Sequence, residues 1–490
     1  MTPRATTPPH RPTPAAVPDP AVPDSPAPHS TLPDPGIPAA SAPVQRPGTR
    51  TRSGPRPRTG AAAPPPRLGS AEPRLAAGAG ELATALCRDG EHFAALAGEW
   101  EDLRRRCRAA TPFQSHAWLY SWWQSYGRHG RLRIVLVREG GRLVAAAPLM
   151  LRHRPLPTLV TLGGGISDYQ DVLLDDGCAR AAGALAGALH ALARGAVLDL
   201  REARPGSAAE RVRAEWPGAA RELEDSVCLE LPGVPMDALL RRLPTGTARH
   251  SRRKLRRIDA LGVEERQVEP AGVPEAVRTM LRLHQRQWSG RGITPEHLRP
   301  RFAAHLVCAT RLLADCGDAA VTEYRLDGEV VACDIAFTSA DRICGYLYGA
   351  DPRLRERKID ITTMLLRHDA RYASATGRGT VSLLRGTEAH KLRWRPVPVT
   401  NRRHVLARRE LSAAVALVAA LTAVRAHAAA GARNARRAAP LPGGLVRRGR
   451  GRCRARLARY VRHFTGRGRG GGGGRGHRSG RARHADGGRP

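Results

Sequence analysis

With 490 residues the chain has room for two or three domains, and its formal net charge is +36. About half of the 40 prolines lie before residue 74, and the last sixty residues carry eighteen arginines against one acid, Asp486, so both extremes of composition belong to the ends and the middle is only moderately basic. Nine scattered cysteines with no CxxC pair argue against a disulfide framework and a zinc site and fit a reducing cytoplasm, no apolar run reaches the length of a membrane span, and the N-terminus lacks the apolar stretch of a secretory signal.

Residues 1–78 are Pro, Ala, Thr and Ser with few aromatics, and such a segment buries too little apolar surface to offset its ordering entropy. A disordered leader is expected there. From Glu81 the pattern becomes globular. HFAALAGEWEDLRRRC reads as an amphipathic helix, and PFQSHAWLYSWWQSYG as a second with Trp118 and Trp122 one turn apart, facing a core. Leu132–Met150 reads as a hairpin. Its phrase from Arg138 to Ala145 and a later one from Arg325 to Ala332 share the pattern R-x-x-G-x-(L/V)-V-A without a gap, a weak internal repeat that points to two copies of one fold.

The first copy continues with GGGISDYQD, whose glycines allow close backbone approach and whose Asp168, Tyr169 and Asp171 offer two carboxylates and a phenol. That loop is either part of an acceptor pocket or a Gly-rich turn capped by a solvated aspartate. A helix (ARAAGALAGALHALARG) and a strand (AVLDLREA) follow. The segment 232–262 then holds a strongly basic helix, TARHSRRKLRRIDALG. Its surface, with Arg253 and Arg256, suits donor or acceptor phosphates, nucleic acid, or plain solvation. LHQRQWSGRG is a helix with Trp288 as its expected core anchor.

In the second copy, Asp327-Gly328 between two apolar runs marks a hairpin. ICGYLYGAD is a strand, RLRERKID a charged loop and ITTMLLRHDARYASATG a helix ending at Gly377. A last strand, TVSLL, runs into RGTEAHKLRW. Beyond Arg408 an Ala-rich helix leads into a Gly/Arg tail, disordered by composition, whose charge suits acidic polymers. The expected segmentation is a leader at 1–78, domains at 79–231 and 263–410 joined through 232–262, and helix plus tail at 411–490.

Six phrases in order, PFQSHAWLYSWWQSYG, SDYQDVLLDDG, SRRKLRRIDALG, LHQRQWSGRG, YLYGADP and LLRGTEAHKLRW, resemble the two-domain GNAT-type acyltransferases. That group includes cellulose-biosynthesis acetyltransferase-like proteins and is related in fold to the Fem-type aminoacyltransferases of peptidoglycan bridges. The resemblance covers roughly Leu82 to Arg408. It implies an α+β fold of tandem GNAT-like domains between disordered tails. It also implies a cytoplasmic enzyme, free or at the inner face of a membrane, that moves an acyl group from acetyl-CoA or another acyl-CoA to an amine or hydroxyl without a metal. The acceptor stays open between a cell-envelope precursor, a polysaccharide and a small metabolite. A Fem-type reaction on aminoacyl-tRNA and a non-catalytic protein binding acidic polymers are the alternatives.

Within the resemblance, donor phosphates normally meet backbone N–H groups where a Gly-rich loop enters a helix. Here that junction has no glycine. Arg357, Lys358, Thr362 and Thr363 are the residues expected to bind the donor there, although Asp360, which Arg355, Arg357 and Lys358 surround, places a negative charge where its phosphates would go. Asp360 is alternatively the helix N-cap. At the end of TVSLL, Glu388 or His390 suits proton abstraction from the acceptor, Lys391 suits the developing oxyanion, and Arg385 suits substrate binding. The family usually has Tyr at the position of His390. A plain surface pair between Glu388 and Lys391 is the competing reading. Lys254, Lys358 and Lys391 are the only lysines among 80 basic residues, which favours sites where a compact ammonium is needed.

Overall fold

The computed structural model describes residues 80–153 and 156–438. The expected leader (1–78) and most of the Arg/Gly tail lie outside the described residues. The chain up to Thr422 forms one compact unit. Its first half runs β1 (Leu82–Cys87), α1 (Gly90–Ala95), α2 (Ala97–Arg106), α3 (His116–Tyr126), β2 (Arg131–Glu139), β3 (Arg142–Arg152), β4 (Thr158–Thr161), β5 (Leu173–Leu174), α4 (Ala181–Leu192), β6 (Val197–Ala203), α5 (Ala208–Ala214) and β7 (Ala219–Pro232). The second half runs α6 (Met236–Arg241), α7 (Thr245–Asp259), β8 (Glu264–Gln267), α8 (Val273–Trp288), α9 (Pro300–Asp315), β9 (Ala319–Leu326), β10 (Glu329–Thr338), β11 (Arg342–Ala350), α10 (Pro352–Glu356), α11 (Ile361–Ala375), β12 (Thr380–Arg385), α12 (Ala389–Leu392) and β13 (Val397–Ala407). Helix α13 (Ser412–Ala438) follows.

The strands join in one sheet, ordered β1-β2-β3-β4-β6-β13-β7-β12-β11-β10-β9-β8, with β5 paired to β3. Read from its two ends, the order repeats. β1-β2-β3-β4-β6 matches β8-β9-β10-β11-β12, and each series has one parallel pair, β4 with β6 and β11 with β12. The last strand of each half crosses over. β7 pairs with β12 of the second half, and β13 pairs with β6 of the first. The two exchanged strands pair with each other along ten registered positions at the centre of the sheet. Hydrogen bonding therefore passes across the boundary expected near residue 232.

The repeated hairpins occupy matching places. The β2–β3 turn is Gly140-Gly141 and the β9–β10 turn is Asp327-Gly328, with φ of 56° and 85° in the first and 53° and 79° in the second. Positive φ at both central residues gives the turn whose twist matches paired strands. Along β10, Cys333, Ile335 and Phe337 face a core shared with Met280 of α8 and Phe302 of α9. Ala332 and Ala336 face the other side, under Met364 and Leu366 of α11. That period of two is what a strand covered on both faces demands. Trp118 and Trp122 are buried as expected, and the Trp118 indole N–H donates to Ser167 Oγ at 2.8 Å. Trp288, by contrast, is only half-buried, with Arg291 4.9 Å above its ring, so it closes the end of α8 at the surface and does not anchor a core.

Candidate functional site

In the second half, β11 and β12 are registered only from Arg342–Thr380 to Cys344–Ser382, although β11 continues to Ala350. β12 turns away through Leu384, a buried leucine held at φ 57°. A bulky residue in the left-handed region is held by its surroundings and stores backbone strain. The parting between the strands is filled from the first half by the loop after β4. The Tyr346 hydroxyl donates to the Ile166 carbonyl at 2.9 Å, and Tyr169 Oη lies 3.0 Å from Ser382 Oγ and 3.3 Å from Glu230. The structure thus brings together two motifs more than 200 residues apart, GGGISDYQD and RGTEAHK.

Arg385, at the end of β12, is the hub of this junction. Its Nε donates to Asp168 Oδ1 at 2.6 Å, its guanidinium reaches Glu202 at 3.2 Å, and it donates to the Gly165 carbonyl at 2.6 Å. The planar fork serves three acceptors at once in a fixed geometry. Although burial opposes the charge, Asp168 and then Glu202 raise the Arg385 pKa further. Glu202 itself sits at φ 53°, accepts from the Asn401 amide at 2.9 Å and from the Ser226 hydroxyl, and is pushed above the usual carboxylate range by burial and then by Asp225. Asn401, on β13, also donates to the Asp168 carbonyl at 3.0 Å. Arg204 clamps Glu230 with bonds of 3.1 and 2.8 Å.

Immediately after Arg385 the chain passes Gly386, at φ 111°, where an added Cβ would stand 2.3 Å from Glu388 Oε1. Only glycine permits that close approach, and it folds the Glu388 carboxylate back over the strand end. Glu388 opens α12. Lys391 Nζ donates to the Arg385 carbonyl at 2.6 Å and stands 3.1 Å from Glu388 Oε2. The pair is close but not aligned for a hydrogen bond, and Oε2 is buried with no donor satisfying it. One of the three Lys391 donors is therefore spent on the Arg385 carbonyl, and Glu388 is held by charge. His390 lies half-buried on the same short helix. The Glu388–Lys391 contact expected as a competing surface pair does exist, but with side chains only 13% and 19% exposed it is not a free surface pair.

Other residues singled out from sequence lie elsewhere. Asp171 is buried and accepts from the backbone N–H groups of Val172, Ala208 and Ala209 at 2.7–2.8 Å, so it ties the loop to the first turn of α5. Burial raises its carboxyl to about 7 against those three donors. Arg253 and Arg256 are on the exposed face of α7 with Arg249, Arg252 and Arg257. Arg253 lies 3.1 Å from its neighbour His250.

At the α11 junction the electrostatics differ from the expected set. Asp360 is the N-cap of α11, accepting from Thr363 N at 3.0 Å and from the Thr362 hydroxyl at 2.8 Å. Its partners are not Arg357 and Lys358, which are exposed, Lys358 at φ 58°. They are Lys254 of α7 at 2.6 Å and Arg393 at 2.8 and 3.1 Å. Tertiary packing delivers cations that sequence proximity does not suggest. Burial alone would raise this carboxyl, yet Arg393 and then Lys254 hold it far below the usual range. Arg393 also occupies the Thr362 and Thr363 hydroxyls, at 3.2 and 2.6 Å. The helix N-terminus, its first-turn hydroxyls and two cations all converge on one internal carboxylate.

Two surface cavities, of about 400 and 620 Å³, open on the first half, one beside Asp102 and Arg142 and the other beside Asp89 and Tyr120. Neither is lined by the residues just described, and neither gathers groups that suit proton or acyl transfer. Among the described residues no group of His, Cys, Asp and Glu suits a metal ion.

Glu202, Glu230 and Asn401 carry no local signal in the sequence. They are ordinary polar residues on β-strands, and only the assembled sheet brings them to the neighbourhood of Arg385.

Residues 246–392 match the family model of the acetyltransferase (GNAT) domain. No curated protein matches the chain. Among solved structures the chain is similar to FemX (12% identity, TM-score 0.48, covering 63% of this chain and 95% of that one). It is also similar to a tandem GNAT protein from the clavulanic acid biosynthesis pathway (14%, 0.38, 66% and 98%) and to L-PGS from Bacillus licheniformis (12%, 0.42, 68% and 96%). Residues 246–392 thus form a GNAT-type acetyltransferase domain, set within a sheet of two matching halves.

Proposed function

We propose that acyl transfer takes place at the junction of the two halves, where Arg385 joins the end of β12 to the loop at Asp168. The observation that carries this reading is the triple bond set of Arg385 to Asp168, Glu202 and Gly165. It gathers strained backbone, buried charge and the Glu388–Lys391 pair at one strand end, where perturbed groups mark working sites. The donor is an acyl-CoA, and the acceptor an amine or hydroxyl of a cell-envelope precursor, polysaccharide or small metabolite in the cytoplasm.

In this mechanism Glu388 takes the proton of the attacking group through its unsatisfied Oε2. The amine nitrogen or hydroxyl oxygen bonds to the acyl carbon, the C–S bond to CoA breaks, and the thiolate leaves. Lys391, anchored on the Arg385 carbonyl, directs its remaining N–H at the oxyanion that develops. Arg385 positions both by fixing the strand end. Asp168 and Tyr169 shape the acceptor side.

A second reading is favoured by the Asp360 cluster. The helix N-terminus that suits donor phosphates holds an internal carboxylate, and the neighbouring α7 exposes five arginines. An aminoacyl ester carried on tRNA fits such a surface, because its phosphates are read along a basic face and not at one helix end. Titration calorimetry of the full chain with acetyl-CoA, a long-chain acyl-CoA and aminoacyl-tRNA separates the two. Binding of an acyl-CoA with turnover supports the first reading, and binding of aminoacyl-tRNA alone supports the second. Transfer that survives Glu388→Gln, Lys391→Ala and Arg385→Ala removes the junction from the chemistry in either case.

A further inference from the structure

We infer that α13 is a docking helix for an anionic lipid surface. From Ser412 to Val424 it contains no charged residue. Its inner face seats Val415, 2% exposed, against Val197, Val405 and Ala407 at the outer side of the central strands. Arg403 fixes the next turn by donating to the Thr422 hydroxyl at 2.8 Å. The outer face is apolar as well. Ala413, Ala416, Leu417, Ala420 and Leu421 all face solvent, Leu417 and Leu421 being 51% and 45% exposed at i and i+4 spacing. Helices packed on a sheet normally turn polar residues outward, and an apolar outer face marks a surface that meets something apolar.

Charge selects the occupant. Between Ser412 and Pro490 there are nineteen arginines and a single acid, Asp486. A second copy of the chain would bring an equally basic segment against this one, and like charges repel. Nucleic acid would engage the arginines but leave Leu417 and Leu421 in water. An anionic bilayer answers both features, with headgroups for the arginines and the acyl boundary for the leucines. The uncharged stretch, about 20 Å at helical rise, is shorter than a hydrocarbon core of about 30 Å. No helix among the described residues is long and apolar enough to cross a membrane. α13 therefore lies in the plane of the interface and does not span it. This inference does not depend on which acyl donor is used.

The test is co-sedimentation of the full chain with vesicles of phosphatidylcholine alone and with added phosphatidylglycerol. The chain is expected to bind only the phosphatidylglycerol vesicles. Leu417→Gln with Leu421→Gln should weaken that binding about tenfold or more, since two inserted side chains are lost. Both side chains are exposed, so the melting temperature should hold, and circular dichroism checks that α13 persists. Equal vesicle binding by the double variant would overturn the proposal by assigning the affinity to charge alone. It would equally fail if sedimentation revealed a dimer that the double variant abolishes, or if duplex DNA bound more tightly than the vesicles.

Discussion

Two arginine–carboxylate clusters sit on the second half of the sheet, and they are built on opposite plans. At the α11 N-terminus, Lys254 and Arg393 outnumber the one carboxylate of Asp360, both carboxylate oxygens are satisfied although Arg393 Nε is not, and all partners come from the second half. At the end of β12, one guanidinium faces Asp168 and Glu202, the backbone at Leu384 and Glu202 is left-handed, and Glu388 keeps an unsatisfied oxygen. A cluster closed on itself stabilises. One left strained and incompletely satisfied is suited to chemistry. On the proposed function, the contrast separates a structural lock within the second half from a working junction between the two halves.

The sharpest way to break the comparison is Arg385→Ala. It strands two largely buried carboxylates and should cost about 3–5 kcal/mol in urea unfolding. A cost under about 1 kcal/mol would mean that the two halves do not depend on this hub.

Next in size is Lys391. If its ammonium serves the oxyanion, Lys391→Ala should lower kcat about a hundredfold, or about 3 kcal/mol, and Lys391→Arg nearly as much, because the guanidinium is larger and planar. A pair that only stabilises would leave turnover intact and shift stability by roughly 1 kcal/mol. Steady-state rates with unfolding curves for both variants distinguish the outcomes.

The underside of α11 gives a pH signature that the α11 cap does not. Asp334 and Asp369 are both buried there, each with an unpartnered oxygen, beside the buried Tyr324. Burial raises Asp334 to about 8, with the Asp369 charge adding to it, and burial raises Asp369 to about 6. A carboxyl whose folded pKa lies above its unfolded value favours folding while protonated. Its contribution is therefore full below about pH 4 and is lost as pH rises toward 8. Each such carboxyl adds a slope of at most about 1.4 kcal/mol per pH unit. Asp334→Asn should flatten the decline in melting temperature between pH 5 and 8. Glu265 acts in the opposite sense and at lower pH. Burial opposes its charge, but His368 and Arg371 hold it at about 2, so its contribution is present above pH 4 and lost as pH falls toward 2. An unchanged pH profile in Asp334→Asn would mean that the pair is ionised in the fold.

The smallest effect belongs to the lock itself. Asp360→Asn keeps a good N-cap and removes only the charge, so a loss of about 1–2 kcal/mol and an unchanged kcat are expected. A large fall in kcat would erase the distinction between the two clusters and bring the α11 N-terminus into the site.

The hairpins, the repeat they form and the strand-end motif were legible because their causes are local. Asp327-Gly328 makes its own turn, and the phrase around Gly140 repeats it. Asp360 as a cap was also legible, since the helix follows it directly. Its cations were not, because Lys254 is 106 residues away and Arg393 is 33 residues away. Trp288 was misjudged because its end of α8 meets solvent, which its own spacing does not record.

What the sequence determined by itself was the alternation of strands and helices, the two-copy pattern and the two motifs that carry polar chemistry. These depend on φ preferences and hydrophobic periods within a few residues. What only the tertiary structure decided was which motif meets which. The exchange of β7 and β13 sets Asn401 against Glu202, 199 residues apart, and leaves the Gly165–Asp168 loop where Arg385 reaches it. Strand pairing is made by backbone groups common to every residue, so the choice of partner is made by packing of the whole sheet and leaves no mark on either strand alone.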